Sequence, residues 1–468
     1  MLKNIFTNSF GILFSRLLGF VRDVLIASYL GANIYSDIFF IAFKLPNLFR
    51  RIFAEGAFVQ VFLPAFTKSK TKSVFAVHIF VIFLSIIAVL TLLVNIFPQV
   101  ATRALAIGFT PHSVAIAAPF VAINFYYLIL IFSVTFLSSL LQYKNHFATT
   151  AFATALLNIS LICAVLLSRY DAKPIIVYYL SLGVVIGGIL QLAVHIIAIY
   201  KMNLSTLLLG GFRYAKKRSL HVKAETGKFA KEFLPAIWGN STAQVSAFLD
   251  TWLASFLFSG SISYLYYSNR IFQLPLALFA IATSTAIFPK VSRLIKQNNQ
   301  QQALKHMQKA FWFLATVLML STLGGFILSR EIVQILFQRG AFSISDTAHT
   351  SMILKMYMLG LLPYGLNKLF SLWLYAAHLQ KKAAKIASYS LISNIFFSLM
   401  LIKPMGASGL ALASSISGLV SIFFTIRVFG SKKFLDIIIS KKLLYWFILA
   451  VLSVFLLLWL KGFINAYI

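Results

Sequence analysis

Asp23-Val24-Leu25-Ile26-Ala27-Ser28-Tyr29-Leu30 returns later in the chain as Asp250-Thr251-Trp252-Leu253-Ala254-Ser255-Phe256-Leu257. The echo continues past these segments. Lys44 and Pro46 find rough counterparts in Arg270 and Pro275, and Pro64 in Pro289, all at an offset of 225–229 residues. Self-similarity at a fixed offset marks a duplicated unit. Six apolar segments separate the two starts, so the halves enter a membrane in the same orientation and form parallel repeats. Parallel halves are related by an axis along the membrane normal, with a cavity between them.

The composition requires a membrane. Of 468 residues 60% are hydrophobic and 11% charged, whereas soluble chains run at about 45–50% apolar and about 25% charged. Breaking the chain at Pro, Gly and charge clusters leaves apolar segments near 5–30, 36–66, 74–97, 114–141, 147–168, 174–200, 229–258, 262–289, 307–328, 347–376, 384–402, 407–429 and 443–460. The expected fold is an all-α polytopic membrane protein of about 13 transmembrane helices, in two parallel six-helix pseudo-repeats around a central cavity. Its parts are an N-terminal lobe at 1–200, a basic amphipathic connection at 201–228, a C-terminal lobe at 229–430 and an additional helix within 431–468.

The net charge of +31 would fit nucleic-acid binding if the bases shared one polar face. They do not. Of 41 Lys and Arg, 24 fall on one alternate set of connections and 7 on the other, the asymmetry that sets topology. This puts the N-terminus and the 201–231 connection in the cytoplasm, with that connection lying along the anionic leaflet. Arg22-Asp23 interrupts the core a signal peptide would need, so the first segment is expected in the mature protein. Cys163 is the lone cysteine, which excludes an intrachain disulfide, and the eight histidines are scattered without metal-ligand spacing. Gly183-Val184-Val185-Ile186-Gly187 is a small-xxx-small packing pattern.

Ten bases remain within or at the ends of spans, where an Arg at mid-bilayer costs about 2.5–3.5 kcal/mol. Lys309, Lys355 and Arg427 are placed to snorkel. The others concentrate in Ser15-Arg16-Leu17-Leu18-Gly19-Phe20-Val21-Arg22-Asp23 and in the run from Asp37 through Lys44, Pro46, Arg50 and Arg51 to Glu55-Gly56. At 100° per residue Arg16, Gly19 and Asp23 share one helix face, expected to look into the protein. Pro46 is expected to kink the second span and free carbonyls beside Lys44, Arg50 and Arg51. The plain alternative is that these charges neutralise each other, Arg22 with Asp23 or Arg51 with Glu55, and lock helices together. Five bases then face three acids. Arginines converging in a cavity, with Arg270 opposite Arg16, Arg22 and Arg50, suit a strongly anionic group, above all a pyrophosphate. An anion-channel ring is the competing arrangement.

The two charged stretches just quoted, together with Tyr266-Tyr267-Ser268-Asn269-Arg270, Leu274-Pro275, Arg339-Gly340-Ala341-Phe342 and Gly409-Leu410-Ala411-Leu412-Ala413-Ser414, carry a resemblance over about residues 5–430. The chain resembles the MurJ (MviN) family of lipid II flippases, in the multidrug/oligosaccharidyl-lipid/polysaccharide exporter superfamily. The resemblance implies that Arg16, Arg22, Arg50 and Arg270 hold a lipid-linked diphosphate, with Arg51 beside them and Asp23, Asp37 and Glu55 as supporting acids. It implies a transporter rather than an enzyme, moving an undecaprenyl-pyrophosphate-linked peptidoglycan precursor to the outer leaflet of a bacterial inner membrane by alternating access. Its partners are that lipid and the surrounding membrane lipids, not nucleic acid.

The resemblance also implies sodium between spans seven, eleven and twelve. Asp250, Asn394 and Ser414 occupy matching positions, and Ser398 stands where a carboxylate is usual. A structural hydrogen-bonding role for Asp250 is the alternative. Family members usually carry fourteen spans, and only one segment follows residue 430 here. The rival function is ion-coupled export of drugs or of another lipid-linked oligosaccharide, the drug exporters requiring an acidic cavity.

Overall fold

A run of about 20 apolar residues in lipid must satisfy its own backbone, which an α-helix does within one segment. In the computed structural model, which describes residues 2–50, 58–214 and 219–467, every regular element among the described residues is helical. In chain order these are α1 (Leu2–Leu30), α2 (Ile34–Phe49), α3 (Phe58–Lys68), α4 (Lys72–Ile96), α5 (Pro98–Leu105), α6 (Pro111–Tyr143), α7 (Ala148–Leu167), α8 (Lys173–Lys201), α9 (Ser205–Tyr214) and α10 (Ser219–Ala254). They continue as α11 (Ser261–Pro275), α12 (Ala282–Lys296), α13 (Gln300–Ile327), α14 (Ser329–Phe337), α15 (Ile344–Leu359), α16 (Leu361–Ala376), α17 (Gln380–Phe429), α18 (Ser431–Ile438) and α19 (Lys441–Tyr467). Eight helices among the described residues are long and apolar enough to cross a membrane. The chain divides into two compact units, residues 1–259 and 260–468.

In the first unit α7 packs between α1 and α8, and α6 joins α8 to α2 and α4. The small-residue pattern on α8 sits at the α7 contact. A Cβ on Gly187 would come within 2.7 Å of Leu157 Cδ1, and one on Gly183 within 2.9 Å of Ala164 Cβ, so glycine sets how closely these helices approach. α10 packs on α3 and α4. Its Phe229 and Phe233 lie edge-on to Phe58 of α3 at 6.1 and 6.2 Å, in a cluster with Phe83 and Phe132. One turn earlier, Glu225 Oε2 accepts from Ser69 Oγ at 2.7 Å, tying α10 to the turn between α3 and α4. The connection after α8 therefore begins as a short helix, α9, held against α4, where Gly211 meets the Ser73 carbonyl.

In the second unit α16 packs on α13 and α17, and α15 on α11 and α17. α11 stops at Pro275 and passes through a π turn, Leu276–Ile281, into α12. Proline's missing N–H is the cause, since it removes one rung of the helical ladder. The apolar stretch 347–376, expected as one span, is two helices: α15 and α16 meet at Gly360, where a Cβ would lie 2.7 Å from Ser415 Oγ. α17 breaks at Gly406, whose φ of 56° is open chiefly to glycine. Its halves pair, with Ser390 Oγ donating to the Ser417 carbonyl at 3.0 Å. This reproduces the separate segments 384–402 and 407–429 expected from the sequence. α19 rests on α13 and leaves Leu444, Phe447, Val451, Phe455 and Trp459 exposed, a face suited to lipid. Near its end Lys461 Nζ lies 3.7 Å from Glu331 Oε1 and donates to the Ile327 carbonyl at 3.1 Å.

Gly187→Leu should wedge α7 from α8 and cost about 1–3 kcal/mol. A lowered unfolding midpoint in detergent is expected, against no change for Ile186→Leu, whose side chain is half exposed. Equal midpoints for both variants would contradict the close approach.

Candidate functional site

Arg22 is the residue most fully built into the structure. It and Asp23 are 5% and 0% exposed, and α1 turns their face onto α7. Nε and Nη2 of Arg22 both donate to Asp23 Oδ1, at 2.9 and 2.6 Å, while Nη1 donates to Asn158 Oδ1 at 2.9 Å. The Asn158 amide nitrogen donates back to α1, to the Ser15 carbonyl at 2.8 Å. Asn158 therefore reads both a charged head and a backbone oxygen of the same helix. Sequence reasoning missed it; its signal is a lone Asn inside the apolar run of α7.

Arg16 lies on α1 but is exposed, and it makes no ion pair or hydrogen bond among the described residues. Gly19, between them, faces the Asn158 side chain, to which a Cβ would be 3.5 Å. So the polar face of α1 divides: Gly19, Arg22 and Asp23 close on α7, and Arg16 stays open.

On α2, Asn33 caps the helix: its side chain accepts from the Tyr35 N–H at 2.9 Å, and Ser36 Oγ accepts from the Asn33 N–H at 2.8 Å. This places Asp37, 2% exposed, in the first turn, where a negative charge meets the positive end of the helix dipole. The helix runs through Pro46 and ends at Phe49, with Arg50 at its cap. Arg50 is half-buried, and its Nε donates to Asn47 Oδ1 at 3.1 Å. Arg51 and Glu55 lie outside the described residues.

Arg270 belongs to the second unit. On α11 the neighbours Ile271, Phe272, Tyr267 and Ser268 are buried, while Tyr266, Asn269, Arg270 and Gln273 share the less buried side. Arg270 Nη2 donates to Tyr266 Oη at 3.0 Å, its guanidinium lies 5.2 Å from that ring's centre, and Gln273 Nε2 donates to Asn269 Oδ1. The phenol holds the fork by one edge and one face, a cation–π arrangement that leaves the charge in place.

The residues expected to hold sodium fall in both units. Asn394 and Ser414 meet in the second, Nδ2 donating to Oγ at 3.2 Å, and Ser398 is fully buried one turn beyond Asn394. These are oxygen donors of the kind a hard cation takes. Asp250, 9% exposed, ends α10 in the first unit. Among the described residues no group of three His, Cys, Asp or Glu is placed to hold a metal ion.

Two units of apolar helices that carry arginine, carboxylate and amide side chains on buried or half-open faces define a polytopic membrane protein. The comparisons agree and go further. The family model described as "Lipid II flippase MurJ" matches residues 26–468, and the chain belongs to that family. It is 49% identical to the "Probable lipid II flippase MurJ" of Helicobacter pylori strain ATCC 700392 / 26695, covering 94% of this chain and 98% of that one. It is 33% identical to the protein of the same name from Buchnera aphidicola subsp. Acyrthosiphon pisum, covering 93% and 85%. Among solved structures it is similar to "Lipid II flippase MurJ, inward closed conformation", with a TM-score of 0.78, 25% identity and coverage of 98% and 99%. An inward-facing multidrug resistance MATE family transporter of the MOP superfamily shares the fold, with a TM-score of 0.64 at 11% identity and coverage of 90% and 94%.

Asn158→Ala should remove both bridges to α1 and cost about 1–3 kcal/mol. Arg22→Ala should cost more, roughly 3–5 kcal/mol, because it strands the buried Asp23 carboxylate. Unfolding midpoints of the two single variants and of Arg22→Ala with Asp23→Asn check this: the double variant should recover part of the loss.

Proposed function

We propose that this protein moves lipid II, an undecaprenyl-pyrophosphate-linked peptidoglycan precursor, from the inner to the outer leaflet of a bacterial inner membrane. Membership of the MurJ family carries the reading. The site chemistry fits it. A diphosphate bears several acceptor oxygens and a concentrated negative charge, which guanidinium forks match with paired hydrogen bonds. Arg270, steadied by the phenol of Tyr266, supplies such a fork. Arg22 starts from a different position, since its fork is committed to Asp23 and Asn158. To take a phosphate it turns part of its fork from the carboxylate to the incoming anion while the Asp23 contact is kept, because a full exchange would strand the buried Asp23.

Alternating access follows as the mechanism. The headgroup enters a cationic cavity open to the cytoplasm, the lobes rock, and the polyprenyl tail remains in the bilayer. Arg16, Arg22, Arg50, Arg51 and Arg270 bind the diphosphate, and Asp23, Asp37 and Glu55 receive the arginines when it leaves. The protein is a transporter rather than an enzyme, with its N-terminus and the 377–385 connection in the cytoplasm. A cavity of arginines argues against export of cationic drugs, because like charge repels them.

Sodium is the coupling ion in this reading, bound by Asp250 with Asn394, Ser398 and Ser414. Sodium chloride should then raise the unfolding midpoint of the purified protein relative to potassium chloride, and Asp250→Asn should remove that difference. Equal midpoints in the two salts for the unmodified chain would end the sodium assignment.

In cells that depend on this chain for lipid II export, Arg270→Ala should lower translocation at least about tenfold, the loss expected for a charge-assisted contact. Translocation unchanged at normal protein levels would overturn the flippase reading.

A further inference from the structure

The open face of α16 is polar. At 100° per residue Tyr364, Asn367, Lys368, Ser371, Leu372 and Tyr375 occupy an arc of about 140°, and none of the six is buried. Across the helix Gly365, Leu366, Leu369, Phe370, Trp373 and Leu374 are buried. The buried side is packed hard, since a Cβ on Gly365 would run into Leu318 Cδ1 of α13. The rotation of the helix is therefore fixed. A face turned to hydrocarbon is apolar, as on α19; a membrane-embedded face carrying two tyrosines, an asparagine, a lysine and a serine turns to water.

Two of those groups have partners inside the lobe. Tyr364 Oη donates to the Ser414 carbonyl at 2.9 Å. Asn367 donates to Ser421 Oγ at 2.9 Å and accepts from Thr425 Oγ1 at 2.7 Å. Lys368 is different: it is exposed, and it makes no ion pair or hydrogen bond among the described residues. It lies eight residues before Ala376, about 12 Å along the helix axis, well inside the segment. The helix is also a neighbour of the one that carries Arg270. Phe272 of α11 and Tyr364 of α16 meet edge to face, with centroids 6.1 Å apart.

We propose that Lys368 is a substrate-binding residue of the C-terminal lobe, a second cation that takes the phosphate oxygens of the lipid-linked diphosphate. The proposal rests on the flippase reading. A buried or lipid-facing lysine needs a carboxylate or a route to the interface, whereas one on a wet polar face is a charge held ready for an anion. Lysine is a point charge without a fixed fork, so it attracts a phosphate without dictating its orientation. That suits a first contact nearer the 377–385 end of the helix, from which the headgroup passes to the guanidinium of Arg270.

Two measurements test it. In a Cys163→Ala background, Lys368→Cys should react with a negatively charged, water-soluble thiol reagent while Leu456→Cys on α19 does not, and lipid II should slow the reaction. In nanodiscs, Lys368→Met should weaken lipid II binding about tenfold, with an unchanged unfolding midpoint, while Lys368→Arg stays within about twofold of the original. An unreactive Lys368→Cys would remove the wet face and overturn the proposal. So would Lys368→Met binding like the unmodified chain while Arg270→Ala loses affinity, an outcome that leaves the flippase reading standing. If the unmodified chain itself binds no lipid II, both fall.

Discussion

Hydrocarbon offers no hydrogen bonds, and that constraint sorts almost every polar side chain in this protein. Small hydroxyls return to their own helix: Ser133, Thr135 and Ser139 of α6 each donate to the carbonyl four residues earlier. Larger groups reach across helices. Asn124 joins α6 to α8 through Ser181, and Tyr127 donates to Gln191 at 3.2 Å. The charges follow the same rule at higher stakes. Arg22 and Asp23 are desolvated together, and Asn158 supplies the third point that makes the burial tolerable. Where a polar face is only partly satisfied by its neighbours, as along α16 at Lys368, water is the remaining solvent. The division between lipid-facing, protein-facing and water-facing sides of each helix is thus one physical choice repeated along the chain.

Much of this was legible in the sequence because composition and punctuation are local signals. The excess of apolar residues required a membrane, and the Gly406 break and the Pro275 ending of α11 sit where glycine and proline stand. The joint at Gly360 was hidden, because it lies within continuous apolar sequence and depends on the close approach of Ser415, 55 residues away. The site divides in the same way. That Arg16, Arg22, Arg50 and Arg270 are anomalous could be read from their cost in a bilayer. What each one touches could be read only in part: the pairing of Arg22 with Asp23 was in view, but its amide partner Asn158 is 136 residues distant, and the openness of Arg16 is decided by the packing of α1 on α7. Arg50 and Arg270 each have a partner one turn before them, Asn47 and Tyr266.

The duplication adds a last constraint. The two halves repeat the acid, Asp23 and Asp250, but not the base beside it: Arg22 precedes the first, and Leu249 precedes the second. In the first unit the carboxylate is neutralised by its own neighbour, and the pair is sealed by an amide from α7. Asp250, almost as deeply buried and part of the same compact unit, has no base beside it in sequence. In the second unit the groups that meet are neutral ones, Asn394 Nδ2 donating to Ser414 Oγ at 3.2 Å. The repeat in sequence therefore does not repeat the electrostatics: Arg22 is paired with the buried acid beside it, while Arg270 is held by the phenol of Tyr266.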